Sequence, residues 1–267
     1  MSLTERLLSH AGSFDDLAGR ATLLGRVDAR AKVLVTLAFV TTAASFGRQA
    51  LFQPAPLLVY LAAIFALGDV PLGPVVARVA ALSPFALLVG AADLLLHRSP
   101  AVTLGPVVLS EGTVSFISLA VRFLLCATAV FLLAATTRFC DVVRALRRMG
   151  MPRVLATQLL LAHRYLYVLA GEAGRMARAH SLRAAGTGGP GLRTGATLLT
   201  QLLLRSLSRA ERVFAAMTCR GFDGDLSVQP PTRVRLADLG FLAGWCAFFL
   251  LVRSVDLPEA LGRTLAP

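Results

Sequence analysis

Two arginines stand where their chemistry could act on another molecule: Arg183 in Ser181-Leu182-Arg183-Ala184 and Arg220 in Thr218-Cys219-Arg220-Gly221. Each closes a long helix-like run and has glycine close behind it, at Gly186 and Gly221. A guanidinium carries a rigid fork of donors suited to carboxylates and helix-end carbonyls, so a protruding one can anchor a helix end in an acidic groove. Simple capping gives the same pattern, because cations favour helix C-termini and glycine favours the position just beyond. Spacing alone leaves both readings open.

Other chemistries find little support. The histidines (His10, His97, His163, His180) and cysteines (Cys126, Cys140, Cys219, Cys246) are scattered, with no CxxC pair, so neither a disulfide framework nor a metal site is expected. No cluster of carboxylates, histidines or cysteines suggests an embedded enzyme, and the expected number of catalytic residues and of cofactors is none. There is no phosphate-binding GxxxxGK[ST], so ATP chemistry is not expected in this chain. Basic residues without interleaved aromatics argue against nucleic acid as a partner.

The elements that must hold these arginines are set by the solvent. Of 267 residues, 56% are hydrophobic and 16% charged, and mean hydropathy is +0.69, against about a quarter charged in ordinary soluble domains. The sequence predicts an all-α integral membrane protein. Net charge is +12, with arginines flanking the apolar runs, where they set orientation. The first thirty residues hold Glu5, Asp15, Asp16 and Asp28 without a continuous apolar core, so no signal peptide is expected; Leu3, Leu7 and Leu8 suit a short surface helix.

Five spans are predicted. Val33 to Phe46 follows Arg30 and Lys32, which can snorkel to cytoplasmic headgroups. Leu57 to Leu67 starts after Pro54 and Pro56 and ends at Gly68-Asp69-Val70-Pro71. Val79 to Leu96 carries Pro84, a candidate kink. His97 to Gly112 is predicted as an external loop. Val114 to Thr136 contains Arg122, for which Asp93 is one candidate partner, because a charge at membrane depth needs one. Leu236 to Val252 is the fifth, followed by a short external tail. Residues 1–137 thus form an N-terminal membrane part, 138–235 a cytoplasmic coupling domain, and 236–267 the last span and tail. The middle part holds sixteen arginines against Asp141, Glu172, Glu211, Asp223 and Asp225, which the positive-inside rule keeps cytoplasmic. Val154 to Ala170 is apolar, but Gln158, His163 and Arg164 interrupt it, and we read an interfacial helix rather than a crossing.

Two long helices account for the coupling domain. One runs from Pro152 to about Ala184, before Gly186, Gly188, Gly189 and Pro190; the other from about Leu192 to Cys219. In the second, Leu199, Leu202, Leu203, Ala210, Val213, Phe214 and Met217 form a packing face, while Arg205, Arg209 and Arg212 meet water or anionic membrane lipid. Ala170, Gly174 and Ala177 in the first and Ser206 and Ala210 in the second are small residues at intervals that let two helices cross closely.

The wording of this region resembles the transmembrane T component of energy-coupling factor transporters, in its cobalt-type CbiQ branch. The matching residues are Thr136-Thr137, Asp141, Ala145-Leu146-Arg147-Arg148, Pro152, His163-Arg164-Tyr165, Arg205-Ser206, Arg209 to Val213, Ala216-Met217 and Arg220-Gly221-Phe222-Asp223-Gly224, with Asp28 to Lys32 also fitting. The resemblance implies a non-enzymatic scaffold in the cell membrane that joins two cytoplasmic ATPases to a separate substrate-binding membrane subunit. It implies ATPase-coupling signatures at Leu182-Arg183-Ala184 and Cys219-Arg220-Gly221, where neither keeps the family's alanine before the arginine, and cobalt, or nickel, as cargo. A conventional ABC-importer permease is the alternative; it predicts polar residues along the spans, where only Arg122 and Asp93 qualify.

A topology test follows. A cysteine placed at Gly188, with the four native cysteines replaced by serine, is expected to react with membrane-impermeant maleimide only after the cells are opened. Labelling in intact cells would put 138–235 on the wrong side.

Overall fold

The computed structural model describes residues 23–47, 53–96, 100–104, 107–183, 191–226 and 235–254. Their contacts form two compact units, one holding residues between 17 and 138 and after 232, the other those between 139 and 231. The Leu3, Leu7 and Leu8 segment, Ala184, the glycines after it and the tail lie outside the described residues.

The first unit contains α1 (Ala29–Ser45), a 3-10 turn (Ala55–Leu57), α2 (Leu58–Gly68), α3 (Leu72–Leu96), an antiparallel hairpin of β1 (Pro100–Leu104) and β2 (Val107–Ser110), α4 (Glu111–Thr136) and α8 (Leu236–Ser254). The fold is helical as expected, but the segment expected as an external loop contains a hairpin pairing Val102 with Leu109 and Leu104 with Val107. Alternating Val, Thr and Leu suit a strand, and an apolar-run search passes over strands this short. The third helix begins at Leu72, just after Asp69 turns the chain with φ 47°, and runs through Pro84 without a break. Proline at 84 leaves the Ala80 carbonyl without its helical donor, and the Ser83 hydroxyl donates to that carbonyl at 2.8 Å.

Among the described residues three helices are long and apolar enough to cross a membrane: Gly112–Thr136, Arg153–Arg183 and Leu236–Ser254. This is a multi-pass membrane protein. At 1.5 Å per residue α1 spans about 25 Å and α2 only about 17 Å, so α2 does not cross a ~30 Å core unaided, contrary to its expected role as a full span. Arg153–Arg183 meets the length and composition of a span although its interrupting polar residues point to the interface; labelling at residue 188 separates the two.

Lipid offers no hydrophobic drive between helices, so the unit coheres by close fit and by polar contacts. Phe39, Tyr60, Trp245 and Phe249 form its centre, with Tyr60 4.9 Å from both Phe39 and Trp245 between ring centroids. Helices α3 and α4 approach so closely that a Cβ on Gly90 would sit 2.5 Å from the Phe116 ring. The guanidinium of Arg122 donates to the Phe46 carbonyl at 2.6 Å, to the Gly47 carbonyl and to Ser118 Oγ at 2.7 Å; the side chain of Asp93, its candidate partner, lies outside the described residues. These carbonyls close the C-terminal end of α1, where a cation is favoured and no helical donor remains.

The polar centre of the unit lies at the opposite end of α1. Asp28 caps that helix, its side chain accepting from Arg30 N at 2.9 Å. Asp238, 4% exposed, accepts from Asp28 N at 2.9 Å and from Arg235 N at 2.8 Å, so one carboxylate serves the first backbone donors of α1 and α8 together. Lys32 does not snorkel to headgroups as expected; it is 5% exposed and its Nζ donates to the Thr136 carbonyl at 3.1 Å, at the end of α4.

Replacing Asp238 by alanine removes two charge-assisted bonds worth ~1.5–3 kcal/mol each from part-buried N–H groups. Thermal unfolding in detergent, followed by the fluorescence of Trp245, is expected to show Asp238→Ala well below the unaltered chain and Asp238→Asn between them. Equal midpoints for all three would remove Asp238 from the account.

Candidate functional site: the two arginine-tipped helices

The second unit contains α5 (Phe139–Arg148), α6 (Arg153–Arg183) and α7 (Leu192–Cys219). Helix α5 has Asp141 in its first turn and Arg147 and Arg148 in its last, matching the macrodipole at both ends. It ends in a Schellman motif: Met151 N donates to Leu146 O and Gly150 N to Arg147 O, with Gly150 at φ 115°. Pro152 then caps α6 by accepting from Ala156 N. Phe139 stacks on His163 at 4.5 Å, which fixes α5 against α6.

Helices α6 and α7 run antiparallel, bridged near the middle by Glu172, which pairs with Arg205 at 2.6 Å and with Arg175 on its own helix. Around this bridge Gly174 is buried and Ala170 and Ala177 are half-buried, while Ser206 and Ala210 line a groove of about 450 Å³ with Leu161, Tyr165, Leu169 and Val213. Of the small residues singled out in the sequence, Ser206 and Ala210 thus line this groove. Arg205 is no bystander on a solvated face, since it holds the bridge, and Arg209 lines the groove.

The packing face expected on α7 is only partly used. Leu202, Val213 and Met217 are half-buried, but Leu199, Leu203 and Phe214 are 68%, 60% and 64% exposed. Those side chains have no cover among the described residues.

At 1.5 Å per residue Arg183 and Arg220 stand about 17 Å and about 22 Å beyond the bridge, towards opposite ends of the pair. Leu182 and Arg183 are exposed. Cys219, Arg220 and Gly221 are exposed as well, and their backbone is locked. Phe222 N donates to Met217 O and Gly221 N to Thr218 O, both at 3.0 Å, with Gly221 at φ 79°. This is a second Schellman motif, and Phe222 and Met217 line the same groove, as its hydrophobic contact requires.

The chain beyond Gly221 is held from two sides. Arg147 pairs with Asp225, Thr157 Oγ1 donates to the Gly224 carbonyl at 3.1 Å, and Asp225 N donates to Asp223 Oδ1 at 3.1 Å. Sequence reasoning matched Arg147 and Asp223-Gly224 to a family pattern without pairing them, and did not find Asp225 or Thr157. The only local signal is the turn chemistry of Asp223-Gly224-Asp225. No group of three or more His, Cys, Asp or Glu among the described residues could hold a metal ion.

A family profile described as "Cobalt transport protein" matches residues 20–232. The chain belongs to the CbiQ family. Similar curated proteins include the "Cobalt transport protein CbiQ" of Rhodobacter capsulatus, 32% identical over 154 residues, which cover 57% of this chain and 62% of that protein. An uncharacterised protein of Methanocaldococcus jannaschii is 24% identical over 134 residues, 49% of this chain and 46% of its own length. The alignments thus span less than two thirds of either relative, while the CbiQ profile takes in both arginine-tipped helices.

The locked tip makes a specific demand on Gly221. A Cβ there meets nothing within 4 Å, so alanine is opposed only by the left-handed backbone, at a cost of about 1–2 kcal/mol. Hydrogen exchange is expected to show faster exchange at Arg220–Phe222 in Gly221→Ala and little change in Gly221→Asn, because asparagine tolerates that conformation. Equal protection in both variants would mean that the motif does not hold the tip.

Proposed function

We propose that this chain is the transmembrane coupling component of an energy-coupling factor importer. It joins two cytoplasmic ATPases to a separate substrate-binding membrane subunit and powers uptake of a metal ion, cobalt, with residues 138–235 as the coupling domain. The cargo rests on the CbiQ family and on the name of the Rhodobacter relative. The observation that carries the coupling role is Arg220, an exposed guanidinium on a locked helix end that pairs with no carboxylate among the described residues. A capping arginine needs no such bracing of the chain behind it, whereas a docking arginine must hold its position under load.

The rest of the unit supports the same role. The sequence has no phosphate-binding motif, so the ATPases are separate chains. When they close on ATP and reopen, anchors at Leu182-Arg183-Ala184 and Cys219-Arg220-Gly221 move with them, and the bridged pair α6 and α7 carries the displacement. The bare leucines and Phe214 on α7 give an apolar membrane subunit a face to rest on. A conventional permease would line its own path with polar groups, yet Arg122 is spent on the carbonyls of Phe46 and Gly47.

The test is ATPase co-purification and cobalt uptake for Arg183→Ala, Arg220→Ala and the double variant at matched expression. Docking predicts a loss of ~1.5–3 kcal/mol per arginine, and release of the ATPases or uncoupled hydrolysis in the double variant. Capping alone predicts under about 1 kcal/mol and an intact complex. Arg212→Ala is the control, an exposed arginine on the face of α7; Arg205 cannot serve, because it holds Glu172. Full assembly and uptake in the double variant would sink the docking role.

A further inference from the structure

We infer that Lys32 and Thr137 form the joint through which the helix α4 end receives the motion of the coupling domain, with Lys32 as a positioning residue for transport. This rests on the coupling role proposed above. The chain leaves α4 at Thr136 and enters α5 at Phe139, with only Thr137 and Arg138 between. The return connection, from Cys219 to Leu236, is many residues longer. A displacement carried along the chain therefore has its shortest covalent path into the first unit through this link.

The short link is gripped at its first carbonyl. Lys32 Nζ donates to the Thr136 carbonyl, and both residues are buried. Lys32 is the single lysine of the chain, against 26 arginines. A charge needed only to fix orientation is supplied everywhere else by arginine, so this position selects for the compact ammonium, a point charge on a flexible stem that fits a closed slot where a planar fork does not. The terminal carbonyl of α4 has no helical donor, and the ammonium meets that need. The close fit continues on another side, where a Cβ on Gly68 would sit 3.0 Å from Thr136 Cγ2.

The next residue is not at its polar optimum. Thr137 is 6% exposed, and its hydroxyl has no hydrogen-bond partner among the described residues. Buried hydroxyls are almost always paired, and the joint inferred above supplies this one with a second arrangement in which it is satisfied. Lys32 holds the link in the arrangement seen here, and the unpaired hydroxyl of Thr137 keeps that arrangement from being too deep a minimum.

The test uses the complete complex, with ATPases and substrate-binding subunit, reconstituted in vesicles and supplied with cobalt. ATPase retention, ATP hydrolysis, cobalt uptake per ATP and the thermal midpoint are read for the unaltered chain, Lys32→Arg, Lys32→Met and Thr137→Val. Lys32→Arg keeps the charge and is expected to retain the ATPases and their hydrolysis while uptake per ATP falls about tenfold, the effect of losing a hydrogen bond from a charged group. Lys32→Met is expected to lose uptake per ATP at least as fully.

Thr137→Val, which replaces an unpaired hydroxyl by a methyl of the same shape, is expected to raise the thermal midpoint and to lower uptake per ATP. A merely structural threonine would not move those two in opposite directions. Normal uptake per ATP in Lys32→Arg would return Lys32 to an orientation anchor and overturn the joint, as would Thr137→Val with unchanged coupling. An unaltered chain that retains no ATPase would overturn the coupling role, and the joint with it.

Discussion

Asp238 resolves a constraint that no membrane bundle escapes: the first backbone donors of a helix have no acceptor within the helix and must find one elsewhere. Its two oxygens take the N–H of Asp28, which opens α1, and of Arg235, which opens α8. Residues 210 apart are thereby joined by one side chain. Everything between them, including the whole second unit, is inserted into a loop of chain whose ends are pinned. The aromatic packing of Phe39, Tyr60, Trp245 and Phe249 continues that pairing along the two helices.

The second unit solves a different problem, that of presenting a side chain stiffly without burying it. Helix α7 has no buried residue of its own, so packing does not hold its end. Hydrogen bonds do. The Schellman closure at Gly221 fixes the last turn, and Arg147 and Thr157 fix the chain that follows. Glu172 between Arg175 and Arg205 ties the pair at its middle. The result is a helix pair with one locked end and an open apolar flank, which suits the coupling role proposed above.

What the sequence showed depended on whether the signal was local. The α7 boundaries, Leu192 and Cys219, could be read because apolar period, glycine and arginine agree there, and α6 differs from expectation by about a residue at each end. The partners of Arg122 could not, because backbone carbonyls at the end of another helix leave no mark in residue type. Nothing local marks Asp238 at the head of its span, because its bond to Asp28 is a matter of tertiary placement alone. Leu199, Leu203 and Phe214 have a clear helical period, which identifies a packing face without saying whether the cover belongs to the same chain. Lys32 was read as an anchor because basic residues before a span usually are; only its burial shows otherwise.

The central claim is that the α7 tip is covered by an ATPase, and the chain carries its own reporter beside Arg220. Cys219 is exposed. With Cys126, Cys140 and Cys246 replaced by serine, the rate of maleimide reaction at Cys219 can be compared between the isolated chain and the chain bound to its ATPases. The account predicts rapid reaction in the isolated chain and a rate reduced to a small fraction in the complex. The same rate in both, with the ATPases demonstrably bound, would contradict it.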